Sequence, residues 1–159
     1  MSRWHNQHLD ALPHFCTATV ADWRPLLNAE SIPIVYREWA AARCRFGVQV
    51  LAYVVMPDHF HAVLWAESGE NVCKFLQRTL ALTSRAFQRG GGFWKERPRV
   101  LPIRSTNLLR TKVAYLDANP VRRRLVADAA DWTDSSYRQL VLALPAAVFE
   151  CDDWEHIPL

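Results

Sequence analysis

The chain has 159 residues, half of them hydrophobic, with seven Trp and a formal net charge of +3. That supports a sizeable core without staples, and the four scattered cysteines (Cys16, Cys44, Cys73, Cys151) form no CxxC pair. Reduced structural thiols are therefore expected, not a zinc ribbon or a disulfide framework.

One domain over residues 1–159 fits this length, with a core of about 14–140 and an acidic tail of about 141–159. No apolar run approaches a membrane span, and MSRWHNQHLDALPHF at the N-terminus is not a signal sequence. The expectation is a cytoplasmic protein with no membrane partner.

In chain order, HFCTATV at 14–20 is apolar and β-branched and predicts a first strand. Residues 34–45 have helical spacing, with Val35, Trp39 and Ala42 four and three apart. VQVLAYVV at 48–55 predicts a second strand, Pro57-Asp58 a turn, and 59–66 a third strand that completes a hairpin. Residues 70–89 predict a helix with Val72, Leu76, Leu80, Thr83 and Phe87 on one face. Lys74, Arg78, Arg85 and Arg89 lie on its other face, and Gly90-Gly91-Gly92 ends it. Residues 93–103, with Pro98 and Pro102, read as an edge strand or an irregular connection, and 108–118 as a further helix before Asn119-Pro120. This order predicts an α+β layer fold, an antiparallel sheet with helices packed on one face.

Charge is unevenly spread. Between Lys74 and Arg124 there are thirteen Lys or Arg against two acids, Glu96 and Asp117. From Leu125 onward there are seven acids against Arg138. A basic middle suggests a polyanionic partner, although an ordinary solvated surface explains charge alone equally well.

MPDHFHAVLW at 56–65 raises the main chemical question. Alternation along a strand projects His59 and His61 from one face, with Phe60 on the other. Two adjacent imidazoles are a ready pair of metal ligands; two hydrogen-bonded histidines near a strand end are the plainer reading. A second constellation is YLDANP at 115–120, where Tyr115 and Asn119 lie one helical turn apart. A tyrosine beside a metal-bound phosphate can act as a nucleophile, and Asn119 can supply an amide oxygen. Equally, Tyr115 can be a packing residue, and Asn119 can cap a new helix that begins at Pro120.

Taken together, MPDHFHAVLW, the basic helix, YLDANPVRRRLV and WTDSSYRQL resemble the REP-associated tyrosine transposases. These are bacterial relatives of the single-tyrosine HUH transposases, and the resemblance runs from about 14 to 140. It implies a ferredoxin-like α+β core with the histidines on a central strand and a catalytic helix towards the C-terminal side. His59, His61 and Asn119 would hold a divalent cation, Mg²⁺ or Mn²⁺, and Tyr115 would be the nucleophile. Attack on a phosphodiester would yield a 5′-phosphotyrosine and a free 3′-hydroxyl. The implied partner is single-stranded or hairpin DNA, and because some relatives share active sites between subunits, a homodimer is compatible. Lys74, Arg78, Arg85, Arg89, Arg122, Arg123 and Arg124 would contact the DNA backbone, with Phe93 and Trp94 as candidates to stack on bases.

Two departures from the family pattern bear on activity. Arg123 and Arg124 stand where relatives often carry small residues. KERPRVLPIRS also departs from the usual run, which tends to include an acid and a histidine before Ile-Arg. The competing readings are a DNA-binding protein that keeps the fold without catalysis, and a hydrolase that uses activated water.

Overall fold

The computed structural model describes residues 7–87, 92–95, 97–155, 157 and 159. Among them the order is β1 (His14–Thr19), α1 (Ile32–Phe46), β2 (Gln49–Val55), β3 (His59–Trp65), α2 (Gly69–Ala86), β4 (Arg99–Pro102), α3 (Thr106–Arg122) and a short α4 (Tyr137–Leu140). The strands form one sheet in the order β2-β3-β1-β4, with every pair antiparallel. This β-α-β-β-α-β arrangement is the ferredoxin-like fold. Arg89 and the Gly90-Gly91 stop lie outside the described residues. The 93–103 segment resolves into the edge strand β4, whose two prolines flank or end the short pairing.

Period two explains the two faces of the sheet. Cys16, Ala18, Phe60, Ala62 and Leu64 point to one side and meet Trp39 of α1 and Val72, Phe75 and Leu76 of α2. Phe15, Val54 and Val63 point to the other, where Leu109, Val113 and Leu116 of α3 cover them. The third helix thus crosses the face opposite the first two. A bulge lets β2 serve both layers. Val50 pairs with Leu64 and Ala52 with Val63, so Leu51 is the extra residue, and it joins Ala52 under α3.

Residues beyond 140, read from sequence as a tail, complete the core. Phe149 is buried and stacks on Tyr36 at 5.5 Å between ring centroids. The Asp152 backbone N–H donates to the Val50 carbonyl at 2.8 Å, and the Asp152 carboxylate pairs with Arg43. Cys16 and Cys151 are buried, and all four cysteines are unbridged. No helix among the described residues is long and apolar enough to cross a membrane.

Candidate active site

The hairpin turn between β2 and β3 is held from three directions. Met56 N–H donates to the His59 carbonyl, Val20 N–H to the Asp58 carbonyl (both 2.8 Å) and Leu27 N–H to the Pro57 carbonyl at 2.9 Å. This fixes where β3 begins and therefore where His59 and His61 project. Both are buried, and their rings lie 4.7 Å apart between centroids. Asp58 Oδ1 accepts from His59 Nδ1 at 2.6 Å, and Asp58 Oδ2 accepts from Arg123 Nη2 at 2.7 Å. His61 Nδ1 bonds Thr17 Oγ1 of β1 at 2.7 Å.

The Asp58 pairing assigns the proton of His59 to Nδ1, because an ionised carboxylate only accepts. Burial pushes the Asp58 carboxyl up, but its bonds to His59 and Arg123 hold it below the ordinary value. Burial also lowers His59, and lowers His61 to about 3 with help from the charges of His59 and Lys112. Both rings are therefore neutral at pH 7. Among the described residues neither Nε2 has a hydrogen-bond partner. Two neutral imidazoles with their Nδ1 atoms engaged and their Nε2 atoms bare suit metal ligation.

α3 supplies the rest of the site. It runs without a break to Arg122 with Pro120 inside, so Asn119 is an interior helical residue and not the cap of a new helix. Pro120 gives up the intrahelical bond to the Leu116 carbonyl, and the helix nonetheless continues through it. The Asn119 side chain is buried, lines the same cleft as the histidines, and has an amide nitrogen without a partner. An amide with no protein commitment can turn its oxygen to a cation, and this orphaned group fits a third ligand. Among the described residues no set of three His, Cys, Asp or Glu forms a metal cluster, so a site here depends on that amide.

Tyr115, one turn before Asn119, is partly exposed. Its ring lies 5.5 Å from His61 and 6.0 Å from Phe15, with the Arg122 guanidinium 5.4 Å from its centroid. Of the other tyrosines, Tyr36 and Tyr53 are buried in the aromatic core. Burial raises both phenols well above the ordinary range. Tyr137 begins α4 and does not line the cleft.

The cleft has a volume of about 710 Å³, and its lining includes Lys95, Arg97, Arg99, Lys112, Arg122 and Arg123. None of its described lining residues is acidic. Of the described cations singled out from sequence, only Arg122 and Arg123 line it. Lys74, Arg78 and Arg85 sit on α2, across the sheet, where Lys74 pairs with Glu70 at 3.1 Å. Arg124 is exposed just past α3 and outside the lining. Phe93 and Trp94 are core residues, 2% and 7% exposed, and Trp94 Nε1 donates to Thr83 Oγ1 at 2.9 Å. They are buried among neighbours and do not present a face for bases. Sequence reasoning missed Lys95, Arg97, Arg99 and Lys112 as cleft residues, along with Trp23.

The buried imidazoles carry a pH dependence with a definite sign. His14, whose Nε2 accepts the Leu9 N–H, is lowered by burial to about 4, and His61 to about 3. Unfolded, both titrate near 6.5. Their contribution is full above pH 6.5 and is lost as pH falls from 6.5 towards 4 and then 3, because the unfolded chain takes up protons first. Asp117, raised by burial to about 6, offsets part of this. The melting temperature of metal-free protein should fall between pH 7 and pH 4.5. The His14 and His61 imidazole resonances should stay unshifted until below about pH 5. Midpoints near 6.5 would contradict the buried, neutral assignment.

Fold and cleft define a class: a ferredoxin-like α+β protein with a His-x-His pair on a central strand, facing a tyrosine on the helix that crosses it. Among solved structures the chain is similar to a REP-associated tyrosine transposase bound to a REP hairpin. That match has a TM-score of 0.80 and 20% identity, and covers 100% of this chain and 98% of the other. It is also similar to a putative transposase from Deinococcus radiodurans R1, at a TM-score of 0.50 and 16% identity over 72% of this chain and 94% of that one. At these identities the likeness is one of fold. No protein-family model matches the sequence, and no curated protein matches it.

Proposed function

We propose that this protein is a tyrosine transposase of the REP-associated, HUH type, which cleaves and rejoins single-stranded or hairpin DNA through a covalent 5′-phosphotyrosine. One observation carries the reading: both Nδ1 atoms of His59 and His61 are engaged, which leaves both Nε2 atoms in a cationic cleft beside Tyr115. The shared fold with a hairpin-bound transposase supports the choice of DNA as substrate.

His59, His61 and the Asn119 amide would hold Mg²⁺ or Mn²⁺. A cation bound there would polarise the scissile phosphate and offset the charge that develops on it. The cleft cations recruit the phosphate backbone. Tyr115 Oη attacks phosphorus as its proton leaves to solvent. The P–O3′ bond breaks, and the departing 3′-oxygen takes up a proton. Arg122, whose guanidinium lies 5.4 Å from the centroid of the phenol ring, is placed to meet phosphate charge beside the nucleophile. The reverse attack by a 3′-hydroxyl rejoins the strand.

The test is incubation with labelled single-stranded hairpin DNA and Mn²⁺, followed by denaturing electrophoresis. A labelled band shifted by the mass of the protein is expected. Cleavage without that band would point to hydrolysis by water. Binding without cleavage across varied sequences would point to a catalytically silent binder.

A further inference from the structure

We propose that Trp23 is a stacking platform for an unpaired nucleobase adjoining the phosphate that enters the cleft. The inference rests on the cleft being the DNA site. It adds a base subsite to a set of contacts that are otherwise ionic.

Its first support is the backbone. Asp22 and Trp23 both have positive φ, 58° and 56°. Two consecutive side-chain-bearing residues in the left-handed region are strained, and a bulky aromatic there is uncommon. The conformation is held by neighbours. Ala21 N–H donates to the Phe93 carbonyl at 2.9 Å, Trp23 N–H to the Val20 carbonyl at 3.0 Å, and Arg24 Nε to the Ala21 carbonyl at 3.1 Å. Val20 is itself bonded to the turn that delivers His59.

The held side chain is not spent on the core. Trp23 is 51% exposed and lines the cleft that holds His59, His61 and Tyr115. Its ring meets His59 edge-on at 5.9 Å, and Lys95 Nζ lies 5.4 Å from its centroid. An indole beside the candidate metal ligands, with an ammonium over it, presents the two chemistries of one nucleotide: a flat π surface and a cation for phosphate. Duplex bases keep their faces stacked on each other, so the matching ligand is a single-stranded nucleotide. The competing role is a simple cover that keeps water from His59.

The test is binding with divalent ions chelated, using a thymidine oligonucleotide and an abasic oligonucleotide of equal length. Trp23→Asn is the informative removal, because Asn tolerates the left-handed backbone. Trp23→Phe keeps an aromatic face. Wild-type protein should prefer the thymidine strand, and Trp23→Asn should weaken that strand by about 5- to 100-fold while changing the abasic strand by about twofold or less. Trp23→Phe should recover most of the loss. Equal losses on both strands, or no loss on either, would overturn the stacking role while leaving the DNA-site reading intact. If wild-type protein binds neither strand, both fall.

Discussion

Tyr115→Phe should abolish the covalent protein–DNA adduct while leaving the fold and DNA binding almost unchanged. The substitution removes one oxygen and keeps the ring, so the contacts with His61, Phe15 and Arg122 persist. Among the described residues the Tyr115 hydroxyl has no hydrogen-bond partner, and the side chain is 39% exposed. Stability should therefore move by about 0.5 kcal/mol or less, as for an ordinary surface change. DNA affinity should fall by about tenfold or less, the scale of one ordinary lost hydrogen bond. Adduct formation should drop by at least about a thousandfold, the scale on which removal of a nucleophile falls. Electrophoretic adduct assays on variant and wild type, beside a binding isotherm in chelator, separate these effects. An undiminished adduct would exclude Tyr115. Tyr137 would become the next candidate despite its distance from the cleft, since Tyr36 and Tyr53 are sealed in the core.

How much of this was legible in the sequence depends on whether local patterning or tertiary placement decides each feature. Alternation in HFCTATV and HFHAVLW gave the facing of Cys16, Phe60, His59 and His61 correctly, because period two is a property of the strand itself. The α2 apolar face was equally readable: Val72, Leu76 and Thr83 are buried as their spacing requires. Which side of the sheet each helix covers is not written in its own periodicity. The cationic stripe of α2 was therefore assigned to DNA, although the helix packs across the sheet from the histidines. Lys95, Arg97 and Arg99 come from a proline-interrupted stretch without a period, and only the pairing of β4 with β1 brings Arg99 to the cleft. Trp23 was missed for the same reason, since nothing in ADWRP announces a left-handed turn. Pro120 misled in the other direction: it removes one intrahelical bond, yet α3 continues through it and Asn119 stays aligned with Tyr115.

The second large effect is expected at Asp58, whose carboxylate joins the histidine strand to the end of α3. It is 6% exposed, accepts from His59 Nδ1 and from Arg123 Nη2, and Arg123 stands immediately after α3. The carboxylate fixes the His59 tautomer and raises the basicity of Nε2, a role whose loss elsewhere costs about 10- to 100-fold in metal affinity or activity. Asp58→Ala should reach that range for Mn²⁺ affinity and adduct rate. It should also cost about 1–3 kcal/mol of stability, because it strands a buried His59 N–H. Asp58→Asn keeps an acceptor for that N–H but loses the charge and turns donors towards Arg123, so it should fall between wild type and Ala. Arg123→Ala should cost less than Asp58→Ala, since the Arg123 side chain is 48% exposed and its pairing is screened. Comparing these variants assigns Arg123, which sequence alone placed among the DNA contacts. As a latch, it should lower adduct rate and Mn²⁺ affinity, with a double-mutant cycle against Asp58→Asn showing non-additivity. As a phosphate contact, it should weaken DNA binding in chelator and be additive with Asp58→Asn. Isothermal titration of Mn²⁺ and of DNA across the four proteins of the cycle decides between them. Wild-type Mn²⁺ affinity in Asp58→Ala would remove the carboxylate from the site.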